Sequence, residues 1–237
     1  MTIAFDAASS GAGYPPIGVT FSHALGAGSG NNRIVIVAVV TVGPSPHTVT
    51  SITYNSAAMT LLTQAITPEY YGRVTTTSVY YLLDGGLPAA AGTYSVYYEI
   101  ETAYSAVGSA LGYTGVEQAA PNYVADTFAD GTSHTTDITS SITTTDSSGG
   151  LVLALVGVES NGTAITFTPA SGQTERTDAS QTTIATIGTS DKVYSSTGSV
   201  SMTTTPSASY LCYANVLMEL PSSGAAADNA ALIGACF

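Results

Sequence analysis

The sequence predicts an all-β chain folded as an antiparallel β-sandwich, and three observations carry that prediction. Thr, Val, Ile and Tyr recur throughout, and β-branched and aromatic side chains fit a pleated, half-buried surface better than a helix. Apolar residues return every second position in segment after segment, whereas the 3.6-residue helical period is scarce. Clusters of Gly, Asn, Asp, Ser and Pro interrupt these segments at short, regular intervals, the spacing of a sandwich or jelly roll. A chain of 237 residues, 44% of them hydrophobic, can fill one such sandwich, since single β-domains run to about 250 residues.

The elements follow in order. The turn cluster Gly28-Ser29-Gly30-Asn31-Asn32 precedes a continuous β-branched run, 34–40, which reads as a central strand buried on both faces. Residues 49–54 form a short alternating strand ending at Asn55, and 56–65 suit a single helical turn. A strand at 74–83 stops at Asp84-Gly85-Gly86. In 93–101, Tyr94, Val96, Tyr98 and Ile100 point one way and Thr93, Ser95, Tyr97, Glu99 and Glu101 the other, the signature of a half-exposed strand. Residues 105–116 continue with small side chains suited to close sheet packing. The second half repeats the theme. A Thr-rich strand at 135–145 turns Ile138 and Ile142 inward, and 151–158 is a second doubly buried run. Short strands at 165–168, 182–187, 192–194 and 200–204 lead to a closing strand at 209–220. Past Pro221 the chain becomes linker-like and then apolar, with a short helix expected near 225–234. The expected organisation is therefore one sandwich domain, 1–221, and a short irregular tail, 222–237.

Charge excludes several functions. Charged residues make up 8%, against roughly 25% in an average globular protein. The net charge is -12 and the only basic side chains are Arg33, Arg73, Arg176 and Lys192. Phosphate backbones and anionic bilayers need grouped cations, so neither nucleic acid nor membrane is an expected partner. The longest apolar stretch, 34–42, is too short to span a bilayer, and the N-terminus lacks the basic and apolar regions of a signal peptide. Cys212 lies in an apolar strand pattern and reads as a buried small hydrophobe; Cys236 is penultimate, and the pair makes no disulfide framework.

Motifs for chemistry are also missing. His23, His47 and His134 stand apart from any Gly-x-Ser-x-Gly elbow. Glu99 and Glu101 share a strand face about 7 Å apart, a solvated face rather than a glycosidase pair. Asp126 and Asp130 flank Phe128 in an expected loop, without the Asp-rich run of a calcium site. Cys and His lack zinc spacing. Gly26-x-Gly28-x-Gly30 leads into a strand, so it cradles no nucleotide. The expectation is a protein without catalytic residues, metal or cofactor. What remains is tyrosine, 15 in all. In the doublets Tyr70-Tyr71, Tyr80-Tyr81 and Tyr97-Tyr98, one ring is expected inward and one outward. Tyr71, Tyr81 and Tyr97 are thus candidates for subunit contact or sugar stacking. Leu232, Ile233 and Phe237 are candidates for a tail that docks on a neighbouring subunit.

The order of features resembles a jelly-roll module of bacterial secreted proteins and phage virion proteins. The resemblance rests on Gly30-Asn31-Asn32-Arg33-Ile34-Val35-Ile36-Val37, Val49-Thr50-Ser51-Ile52-Thr53-Tyr54-Asn55 and Val79-Tyr80-Tyr81-Leu82-Leu83. Gly92-Thr93-Tyr94-Ser95-Val96, Gly115-Val116-Glu117-Gln118, Gly150-Leu151-Val152 and Gly172-Gln173-Thr174 complete it, over 17–220. The aromatic strand often carries Trp in that family, and this chain has none. The resemblance implies a single antiparallel sandwich of jelly-roll type and says little about function. Together with the charge-poor surface and export-free N-terminus, it leads us to expect a non-enzymatic virion structural protein. Such a protein would be a capsid decoration or other external component that self-associates and contacts other virion proteins. The alternative is a secreted, extracellular carbohydrate-binding or adhesive module, free or as part of an extracellular filament, with a glycan as partner.

Overall fold

The computed structural model describes residues 2–14, 17–26, 28–46, 49–100, 102–181 and 184–224. Two strands decide the architecture. β3 (Ile34–Gly43) is buried at every position, and β12 (Gly150–Ser160) at every position after its first. Successive side chains of a strand point to opposite faces of its sheet, so burial along the whole strand demands cover on both faces. Two layers can cover only one face of each sheet. The expected antiparallel sandwich is present, and it is built twice, with four sheets stacked in four layers.

In the first half, a five-stranded sheet has the order β1 (Ala4–Gly13), β9 (Ser105–Thr114), β3, β7 (Val74–Leu83), β6 (Thr60–Ile66). Its outer partner is β2 (Ile17–Leu25), β8 (Gly92–Ile100), β4 (Ser51–Tyr54), β5 (Ala57–Ala58). In the second half, the five-stranded sheet is β10 (Asn122–His134), β17 (Tyr210–Pro221), β12, β15 (Ala185–Tyr194), β14 (Thr174–Gln181). Its outer sheet is β11 (Ile138–Thr144), β16 (Gly198–Pro206), β13 (Phe167–Pro169). The halves follow one winding. β1, β9, β3, β7 and β6 correspond in order to β10, β17, β12, β15 and β14, and β2, β8 and β4 to β11, β16 and β13. β8 and β16 share the same burial class at each of their nine positions.

The five-stranded sheets face one another. Ile34, Ile36, Ala38 and Val40 of β3 meet Leu151, Leu153 and Leu155 of β12, with Val216 and Met218, in a central core. The alternate residues Val35, Val37 and Val39 turn to the first outer sheet and pack on Tyr54, Val96 and Tyr98. Val152, Ala154, Val156 and Val158 pack on Ile142, Phe167 and Met202 of the second. Each buried Val, Leu or Ile contributes about 1.5–3 kcal/mol over exposure, so the central layer binds the halves firmly. Its geometry is that of an isologous dimer within one chain. β1 lies against β14 and β10 against β6; β9 lies against β15 and β17 against β7; β3 and β12 meet at the centre. Exchanging the halves carries each contact into another. Gly157, the counterpart of Val40, permits the close approach there. A Cβ on Gly157 would collide with Thr77 Oγ1 and lie 2.6 Å from Val40 Cγ2.

Some local expectations change. The helical turn expected in 56–65 is a hairpin, because Asn55 and Ser56 both take left-handed φ (48° and 67°) and lead into β5 and β6. Asp126 lies within β10, not in a loop. β15 runs unbroken from Ala185 to Tyr194, since the polar residues Thr189, Ser190 and Asp191 are themselves buried. After Pro221, Ser222 bridges Val116, and Ser223 N–H donates to Gly115 O at 2.8 Å. The tail residues Leu232, Ile233 and Phe237, Cys236 and the expected helix near 225–234 lie outside the described residues.

Candidate binding site

The β6–β7 hairpin closes on Tyr70-Tyr71-Gly72-Arg73. Tyr70 and Arg73 exchange two backbone hydrogen bonds of 2.8 Å, and both residues between them have positive φ, 46° at Tyr71 and 69° at Gly72. That is the type I′ signature, for which Asn-Gly is the preferred pair. The chain uses Asn at the comparable place in the β4–β5 turn, where Asn55 has φ 48°. Here it places tyrosine instead. The left-handed region is disfavoured for a bulky side chain, at a cost of about 1–2 kcal/mol, and the ring gains no burial in return: Tyr71 is 86% exposed.

The turn delivers Arg73 across the seam to the second half. Arg73 Nη1 lies 2.6 Å from Glu159 Oε1 at the end of β12, and its guanidinium sits 5.8 Å from the centre of the Tyr104 ring. The Arg73 side chain is 42% exposed while that of Glu159 is 2%. From below, Cys212 Sγ approaches Glu159 Oε2 at 3.7 Å and Thr75 Oγ1 at 3.0 Å. Burial pushes the Cys212 thiol up to about 12, helped by the neighbouring Glu159 charge and opposed by its hydrogen bond with Thr75. The thiol stays protonated and supports the carboxylate as a weak donor. A cavity of about 320 Å³ lies over this pair, lined by Tyr70, Tyr71, Arg73, Glu159, Asn161 and Leu211. The Tyr70 and Tyr71 rings stand 4.2 Å apart, tilted by 59°.

A second concavity, about 260 Å³, opens at the other end of β12. Gly149, Gly150, Ser148, Thr2, Val193 and Tyr194 are among its walls, and no charged side chain lines it. Beneath it Glu219, fully buried, accepts from Tyr194 OH at 2.6 Å, from Thr145 N–H at 2.8 Å and from Asp146 N–H at 3.1 Å. Burial alone would raise the Glu219 pKa. The hydrogen bonds from Tyr194, Asp146 and Thr145 outweigh it and hold the carboxyl below its usual range.

Other buried charges are likewise answered inside the fold. Arg33, fully buried, grips Asp84 through Nε at 2.6 Å and donates to Pro88 O at 2.9 Å. Asp191 receives Arg176 Nε at 2.6 Å and, across the seam, Tyr113 OH at 2.8 Å. Arg176 also covers the Phe5 ring at 4.0 Å. His23 Nδ1 lies 2.9 Å from Ser9 Oγ, a nucleophile–base contact in outline. The imidazole is 1% exposed, neither cavity above reaches it, and burial lowers its pKa to about 4 against an opposing pull from Asp6. It stays neutral and works as a buried polar joint between strands.

The expected site residues do not converge. Tyr71 stands at the cavity. Tyr81, near the opposite end of β7, is half-buried against the central core. Tyr97 is half-buried on the outer face of β8, its ring lying over Gly18. Glu99 is exposed on the same strand, and Glu101 and His47 lie outside the described residues. Asp126 Oδ2 accepts from Ser140 at 2.7 Å and Tyr213 at 3.3 Å. Among the described residues no group of three or more His, Cys, Asp or Glu could hold a metal ion, and no helix is long and apolar enough to cross a membrane. Arg73, Tyr104, Glu159 and Asn161 join the site although none of them is a sequence-predicted site residue. Two signals point to them: a Tyr-Gly pair in a hairpin turn, and a lone carboxylate ending an apolar strand. No family model, curated protein or solved structure matches the chain.

Proposed function

We propose that the chain is a non-enzymatic structural protein of an assembled surface, an external virion component acting through contacts with copies of itself and with other virion proteins. The observation that carries this reading is the chemistry of the two outer faces. On β11 and β16 the outward positions are Thr139, Ser141, Thr143, Ser199, Ser201, Thr203 and Thr205, and pairs such as Ser141–Ser201 join their hydroxyls at 2.7 Å. On β2 and β8, Thr20, Ser22, Thr93 and Ser95 face outward, with Glu99 as the charge of that row. Short hydroxyl side chains lose little conformational entropy when a neighbour covers them, whereas Lys, Arg or Glu would lose up to about 2 kcal/mol each. Two hydroxyl-rich, charge-poor faces on a four-layer body suit repeated lateral packing. The strand orders β1-β9-β3-β7 over β2-β8-β4-β5, and β10-β17-β12-β15 over β11-β16-β13, support a jelly-roll winding in each half. Electron microscopy of native particles is expected to show the chain as a stoichiometric surface component. Recovery only as free monomer, with particles lacking it, would overturn the reading. The rival reading, an extracellular glycan-binding module, draws on a different region, the tyrosine cavity.

A further inference from the structure

We infer that the cavity at the Tyr71 turn is a binding site for a neutral saccharide, a function separate from assembly through the outer faces. The first argument is the turn. A two-residue hairpin with both central φ positive favours Asn at its first position and Gly at its second, and the β4–β5 turn of this same chain has Asn55 first, followed by Ser56. Tyr71 breaks that preference at φ 46° while leaving 86% of its surface in solvent. Backbone strain of this kind persists where it holds a side chain in a working position. The strain displays an aromatic face at the lip of a concavity.

The second argument is what lies beside that face. Arg73 and Glu159, 2.6 Å apart, set a planar donor next to a carboxylate, and Asn161 adds an exposed amide at the rim. Aromatic rings receive the apolar face of a sugar, and a donor–acceptor pair of this spacing answers vicinal hydroxyls. Glu159 cannot swing away, because it is buried and held from below by Cys212 at 3.7 Å. The acceptor is therefore pre-organised, which lowers the entropic cost of binding. The volume of about 320 Å³ lies at the lower end of small-ligand sites, enough for a mono- or disaccharide portion of a longer chain. Charge selects the class. The ion pair is neutral in sum and the chain carries -12, which repels sulfated or sialylated sugars.

The test is built on the turn itself. Tyr71→Asn restores the preferred Asn-Gly pair while deleting the ring. The unaltered chain and this variant are applied to an array of neutral, sialylated and sulfated glycans, and their thermal midpoints are recorded. The expected result is retention of a neutral glycan by the unaltered chain, at least tenfold weaker retention by Tyr71→Asn, and a midpoint that is equal or higher. Arg73→Lys is expected to weaken retention as well, and Tyr123→Ala, an exposed tyrosine on β10, to leave it unchanged. No retained glycan, retention confined to anionic glycans, or equal retention by Tyr71→Asn would each overturn the proposal. So would self-association of the unaltered chain that Tyr71→Asn abolishes without any glycan effect. Because the isolated chain is assayed, failure to find it on particles leaves this inference standing.

Discussion

Between β6 and β7 the first half threads residues 67–73, ending in the strained Tyr71 turn; between β14 and β15 the second half uses only 182–184. The same contrast recurs between β7 and β8, where residues 84–91 carry a 3-10 turn, Asp84–Gly86, against 195–197 between β15 and β16. Strand order, burial and the central packing are common to both halves, and the elaborations belong to the first. One winding used twice yields a rigid body; the longer loops of one copy then place a cavity at the seam, roofed by Tyr70, Tyr71 and Arg73 and floored by Glu159 of the other copy. The halves also close corresponding ends differently. In the first, buried Arg33 takes Asp84; in the second, Tyr194, the counterpart of Asp84, serves buried Glu219.

The largest expected effect tests that last difference. Arg33→Ala strands Asp84 beneath the β2–β3 connection, and breaking a buried pair from one side costs about 3–5 kcal/mol. Urea denaturation should show that loss, and a loss below about 1 kcal/mol would mean that the Arg33–Asp84 pair is not what closes the end of the first half. Next comes the pseudo-dyad. Gly157→Val drives two methyl groups into Val40 and Thr77, and overpacking a tight core costs about 1–3 kcal/mol. Adding Val40→Gly should recover part of that loss, because it vacates the counterpart position across the seam. A double variant no more stable than Gly157→Val alone would break the correspondence of the two positions.

A smaller effect is expected at the second end. Tyr194→Phe removes one donor from Glu219 but leaves the Thr145 and Asp146 N–H groups in place. A hydrogen bond to a charged group contributes about 2 kcal/mol, and the remaining donors keep the loss at or below that figure. Since the Glu219 pKa is depressed in the fold, its contribution is present above the ordinary carboxylate range and fades as pH falls through the lowered value. The deficit of Tyr194→Phe, followed by urea denaturation from pH 7 downward, should therefore shrink only in strong acid.

Much of this was legible in the sequence, and the rest was hidden for identifiable reasons. β8 announced itself because one face meets water and the other meets Tyr54 and Val35, so polar and apolar residues alternate. β3 and β12 announced double burial, though the number of layers which that burial requires was not drawn from it. β14 was unreadable. Its Glu175, Arg176, Thr177 and Asp178 look like a loop, yet three of these polar side chains are answered by other strands of the fold: Thr177 by Ser109, Arg176 by Asp191, Asp178 by the Phe167 N–H. Tyr71 was visible as an aromatic with no periodic reason to be buried. Glu159 was not, because it is 86 residues from the arginine it meets, and only the pseudo-dyad brings them together.

The finest distinction between the halves is how each answers acid. His23, in the first, has its pKa lowered from 6.5 to about 4 by burial, with Asp6 pulling the other way. The unfolded chain then binds more protons below pH 6.5, so this half loses stability as pH falls, by about 1 kcal/mol between pH 7 and 5.5. Asp178, in the second, has its pKa raised from 3.8 to about 6, chiefly by burial and in smaller part by Glu175, against the Phe167 N–H bond that lowers it. The folded chain binds the extra proton here, so stability rises as pH falls from about 6 toward 4. The two responses oppose one another, and the unaltered protein should change little over that range. His23→Gln removes the loss and should make the protein more stable at pH 5.5 than at pH 7. Asp178→Asn keeps the acceptor for the Phe167 N–H, removes the gain, and should steepen the acid decline. Urea midpoints at the two pH values decide it: if both variants shift the pH dependence the same way, the opposing roles assigned to the two halves are wrong.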